Sequence, residues 1–136
     1  MQNSKHRKIE LSSQKGQSLT EFAIALPILI LLLFSVIQFG IIFNNYVTLT
    51  DATRAGARKA AVSRQLGAAA ANIAAVQAVR TSASDLKQTD LSVTVTSAFT
   101  AGSDVTVTAT YPYSLKLIGL PIKSGLLSST TEERVE

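Results

Sequence analysis

Catalysis by ordinary side chains needs groups that can be brought together: a nucleophile beside a base, paired carboxylates, or a cluster of metal ligands. This chain offers few of them. It has one histidine, His6, and no cysteine, which excludes disulfides, thiolate chemistry and cysteine-based metal sites. His6 lies in a basic, polar stretch without partner ligands, so it makes no metal site. Beyond that stretch there is no histidine to pair with a serine or a carboxylate, and no glycine-rich phosphate loop. Asp85, Asp90 and Asp104 flank hydroxyl-rich segments and read as turn residues. These residues predict no catalytic site, no cofactor, no metal and no small-molecule substrate. The acid whose position does call for chemistry is Glu21. In KGQSLTEF, residues 15–22, it directly precedes an uncharged run. A carboxylate at the edge of an apolar environment needs a charged partner or must reach back to water. The residues alone leave both readings open.

The element behind Glu21 runs from Phe22 to Phe43, 22 residues without a charge. As a helix it is about 33 Å long, enough to cross a hydrocarbon layer of roughly 30 Å. Pro27 lies inside it and removes one backbone donor, which predicts a kink or a loosened first turn. A cleaved secretory signal has a shorter apolar core followed by a small-x-small site; FGIIFNNY, at the far end of this run, offers none. Net charge is +4, and +3 of it sits in residues 1–16, where Lys5, Arg7, Lys8 and Lys15 face one acid, Glu10. A basic head of this kind stays in the cytoplasm, and residues after about 44 are translocated. With no basic stripe and no interleaved aromatics in the rest of the chain, the charge does not point to nucleic acid.

Residues 44–64, NNYVTLTDATRAGARKAAVSR, continue as helix. Asp51 and Arg54 sit at i, i+3 and can pair. Ala52, Gly56 and Ala60 recur every four residues and give one face almost no side chain. Such a face admits another backbone closely, or it reflects only the helix propensity of alanine. Arg54 and Arg58, at i, i+4, are either solvated or opposed by an acidic partner. Gly67 punctuates, and an alanine-rich helix is expected over about 68–82, with Ile73, Val76 and Val79 as its packing stripe. Period-two alternation in DLSVTVTSA and DVTVTATY then predicts two strands joined as an antiparallel hairpin through AFTAGS. Pro112 is expected to end the second strand. A lone hairpin is marginal in water, so LLSSTTEERVE is the candidate third strand, with Leu127 and Val135 inward. LKLIGLPI, residues 115–122, reads first as a packed connecting loop and second as an exposed partner-binding patch.

The expected fold is α+β: a long N-terminal transmembrane helix extended into the soluble domain, a short second helix and a small antiparallel β-sheet. The expected domains are a leader at 1–16, the membrane and extended helix at 17–64, and a small extracytoplasmic domain at 65–136.

The order of basic head, Gly16, four residues, Glu21-Phe22 and membrane helix resembles the processing site of type IV pilin-like precursors. The longer stretch from Gly16 to about Ala61 resembles the TadE-like pseudopilins of the tight adherence (Tad, or Flp) pilus system. The shared features are that site, the early proline, Phe39-Gly40 at the end of the apolar run, and the block Thr53-Arg54-Ala55-Gly56-Ala57-Arg58. Thr53 stands where alanine is usual in that block and Ala55 where an acidic residue is frequent. The resemblance implies a pilin-like fold and no enzymatic activity. It implies cleavage between Gly16 and Gln17 by a prepilin peptidase, with Glu21 and Phe22 as the processing and assembly motif. It further implies a single-pass protein of the bacterial inner membrane, N-terminus cytoplasmic, acting as a minor pseudopilin in assembly or initiation of the pilus, whether or not it enters the fibre. Its implied partners are Flp pilin, a sibling pseudopilin and the Tad assembly platform. A major Flp pilin does not fit, because those chains are much shorter and lack a sheet. The alternative from another class is an uncleaved anchor that presents a small binding or adhesive domain.

Overall fold

A computed structural model describes the backbone of residues 5–117 and 119–136, and the side chains of 16–116 and 119–136. The leader side chains, including Lys5, His6, Arg7, Lys8 and Lys15, and Ile118 of the 115–122 stretch lie outside the described residues. The order is helix α1 (Lys5–Val62), a short 3-10 turn (Arg64–Leu66), helix α2 (Ala68–Ser82), then strands β1 (Ser92–Ser97), β2 (Asp104–Leu117) and β3 (Leu120–Arg134). The architecture is therefore α+β. Two compact units divide it, one ending at Gln38 and the other Phe39–Glu136.

In the first unit α1 is unbroken at Pro27, where the Ala23 carbonyl loses its usual donor four residues on. Every side chain from Gly16 to Leu33 is exposed. The apolar window of the helix has none of its residues buried within the chain, so its cover has to be lipid or another molecule. Ser35 donates its hydroxyl to the Leu31 carbonyl at 2.8 Å, which satisfies a polar group within the helix itself.

In the second unit the three strands form an antiparallel meander in the order β1-β2-β3. Alternation sorts the faces. Val93, Ala109 and Ser129 lie in one cross-strand row, and Val95, Val107 and Thr131 in the next. Those rows face the helices, and Val105, Val107 and Ala109 are buried there. Thr108 and Thr130 share a hydrogen bond of 3.0 Å on the opposite face. Leu49, Ala52, Ala57 and Ala60 of α1 and Ala75 and Val79 of α2 complete the core. Gly67, at φ 86°, supplies the left-handed residue between the 3-10 turn and α2.

Three expectations need correction. The buried stripe of α2 is Ala71, Ala75 and Val79, while Ile73 is 59% exposed. Ile73 lies two residues from both Ala71 and Ala75, which turns it to the side of the helix away from the buried stripe. Pro112 does not end β2, which continues to Leu117 and pairs Pro112 with Leu126. Pairing with β1 stops at Thr110, so β2 has an open edge beyond it, and an open edge tolerates a residue without an N–H. The stretch 115–122 is not a packed loop. It is the end of a two-stranded arm that turns back at Gly119, φ 83°. The second reading of this stretch, as exposed, describes Leu120 and Ile122, at 72% and 66%. The third strand is present, longer than its weak pattern indicates, with Leu127 packed against the core and Val135 buried just past its end.

Candidate functional site

The chemistry-bearing part of the chain is the segment around Gly16 to Phe22. Helical spacing stacks Gln17 below Glu21, and the Gln17 amide donates to the Glu21 carboxylate at 3.1 Å on an exposed face. Thr20 donates its hydroxyl to the Gly16 carbonyl at 3.0 Å. Phe22 is exposed. A Cβ added at Gly16 would meet nothing within 4 Å. No packing among the described residues therefore calls for glycine there, although glycine inside a helix costs about 1 kcal/mol relative to alanine. A requirement for glycine at 16 must come from something that approaches it from outside.

The second candidate group lies further along α1, within the Phe39–Glu136 unit. Ala52, Gly56 and Ala60 are all buried there, against this chain's own elements. A Cβ on Gly56 would run into Val79 Cγ2 and stand 3.2 Å from the Ala75 carbonyl oxygen and 3.4 Å from Val107 Cγ1. Gly56 is thus the point where α1, α2 and β2 meet. Arg54 and Arg58 are exposed. Arg54 reaches Asp51 at 3.4 Å, with both side chains about two-thirds exposed, a pair of little energetic weight in water. Together with Ala55, Lys59, Val62 and Ala78 these residues line an open groove of about 560 Å³. Three cations against one acid make it a cationic surface.

Sequence reasoning missed the hydroxyl cluster beside this point. Thr53 is fully buried. Its hydroxyl donates to the Thr50 carbonyl at 2.8 Å, lies 3.0 Å from the Ser129 hydroxyl and accepts from the Thr131 hydroxyl at 3.1 Å. The signal was present as a threonine in an otherwise alanine-rich helix face and as the run Ser128-Ser129-Thr130-Thr131 on a strand. A buried hydroxyl needs partners, and each set supplies the other's.

The first group, and the part of the second up to Arg58, lie within one matched segment: residues 16–58 fit the family model described as TadE-like protein. The segment is TadE-like. The match begins at Gly16, includes Glu21 and Phe22, and ends at Arg58. The TadE-like segment ends inside α1, so α2 and the sheet lie outside it. Comparisons with curated proteins and with solved structures found no match.

Proposed function

We propose that the chain is a minor pseudopilin that assists assembly or initiation of a Tad/Flp pilus after a prepilin peptidase hydrolyses the Gly16–Gln17 bond. The observation that supports this reading is the TadE-like match, which starts at Gly16; an exposed carboxylate, Glu21, follows one helical turn after the Gly16–Gln17 bond. The role is structural rather than catalytic.

Electrostatics supports it. Before the cut, Glu21 lies deep in a helix that begins at Lys5. Afterwards it lies near a new helix N-terminus, where a carboxylate complements the helix dipole. Hydrolysis also places an ammonium on Gln17, roughly 6 Å along the helix from Glu21. The same charge on a neighbouring subunit gives Glu21 a partner in the apolar layer and sets the axial register between subunits. Loss of the +3 head removes the charge that holds the N-terminus in the cytoplasm. The inner-membrane location, the translocated C-terminal unit and the pilin-like partners belong to this proposal.

The test is the intact mass of the protein extracted from membranes of cells with and without the peptidase. A mature chain that begins at Gln17 is expected only with the peptidase present. Gly16→Ala should abolish the mass shift without loss of folded protein, because the added Cβ has room. A chain that keeps its basic head in the presence of the peptidase refutes the reading and favours an uncleaved anchor.

A further inference from the structure

The β2–β3 arm is covered on one face only, where Tyr111, Tyr113, Leu115 and Leu127 are half-buried. Past Thr110, β2 has only β3 beside it, and two strands alone are marginal in water. The arm nonetheless exposes Leu120, Ile122 and Leu126, at 72%, 66% and 68%. Its charges are also one-sided. Between Asp104 and Glu132 the only charged residues are Lys116 and Lys123, both exposed.

The direction of the arm follows from contacts within the same unit. Ser129 lies against Thr53, and the Glu136 amide donates to the Ala61 carbonyl at 3.3 Å. From Ser129 towards its C-terminus, β3 thus advances along α1 from Thr53 towards Ala61. Extended straight in the opposite direction, from Ser129 to Leu120, the strand leads towards Phe43. The strand from Ser129 to Leu120 is about 30 Å long. Phe43 lies about 15 Å along the helix axis from Thr53. An arm inclined by up to about 60° to the helix therefore still reaches the level of Phe43. At that level α1 exposes Phe39, Ile41 and Phe43, side chains at home in hydrocarbon.

We propose that the end of the β2–β3 hairpin docks on the anionic phospholipid surface of the membrane that α1 enters. Leu120, Ile122 and Leu126 sink into the interface, and Lys116 and Lys123 meet the phosphates. Apolar side chains beside lysines, with no acid among them, suit such a surface. The docked arm braces the unit against the bilayer. This rests on α1 spanning the membrane and not on cleavage at Gly16.

The chain has no cysteine, so a single introduced thiol reports one position. Ile122→Cys, Thr100→Cys and Ile30→Cys, each carrying an environment-sensitive fluorophore, are reconstituted as full-length protein in phosphatidylglycerol and phosphatidylcholine vesicles with acyl-chain nitroxide lipid. The label at 30 should be quenched deeply. The label at 122 should be blue-shifted and quenched, and the label at 100, at the other end of the sheet, should be neither. Lys116→Gln and Lys123→Gln should each weaken docking about fivefold. Quenching at 30 without quenching at 122 overturns this proposal alone, and no quenching at 30 overturns the membrane reading with it. A blue shift at 122 that escapes the lipid quencher and grows with protein density overturns it in favour of a second copy of the chain. Quenching unchanged by both lysine substitutions also overturns it.

Discussion

At Gly40, as at Gly16, a Cβ would touch nothing within 4 Å, whereas at Gly56 it would run into Val79. Three glycines in one helix thus differ in cause: packing within the chain demands only Gly56. Glu21 resembles Gly16 in this respect. Its contact is the exposed amide of Gln17, which contributes little in water. The pairing proposed for Glu21 predicts that Glu21→Gln is cleaved and inserted normally but assembles poorly. A lost hydrogen bond to a charged group costs about 1.5–3 kcal/mol, or tenfold and more in affinity between subunits. Co-purification of pilin-like subunits and counts of surface pili check this, and normal piliation in the variant removes the pairing.

Among the elements, α1 is the surface on which the rest of its unit assembles, and its small face sets how closely. Alanine usually improves on glycine in a helix interior by about 1 kcal/mol. Here the sign should reverse. Val79 is branched at Cβ and stiff, and the Ala75 carbonyl oxygen closes the other side. Gly56→Ala should destabilise the unit by about 1–3 kcal/mol. The double variant with Val79→Ala should lose less than the two single variants added together, and urea unfolding followed by tyrosine fluorescence measures both. The elements with a strong period were legible: alternating Val and Thr gave β1 and the first half of β2, and alanine content gave α2. The partner of the Ala52-Gly56-Ala60 face was not legible, because a face of small residues states only that something comes close. Ile73 misled because hydropathy favours the larger side chain, whereas the buried stripe follows the four-residue spacing of Ala71, Ala75 and Val79 and leaves Ile73 on the other side of the helix. The arm was hidden because Pro112 and Gly119 both read as stops, and an open edge and a tight turn accommodate them. Around Glu21 the spacing was fully legible, since the motif is local and needs no tertiary contact.

At the scale of the molecule, the membrane reading and the sheet unit make separate demands. Every side chain from Gly16 to Leu33 looks outward, whereas Phe39–Glu136 has a core of its own. The proposed orientation predicts that Thr100→Cys reacts with a membrane-impermeant maleimide in intact spheroplasts. Labelling that waits for lysis would reverse the orientation. The Thr53 cluster has a consequence in time. Its partners, Ser129 and Thr131, follow it by 76 and 78 residues. At a synthesis rate of 5–20 residues per second they arrive about 4–15 s later. Throughout that interval the part of the face that will receive β3 stands bare. Because Ala52, Gly56 and Ala60 present so little apolar area, the nascent helix waits without a sticky surface, which a leucine-lined face would not allow.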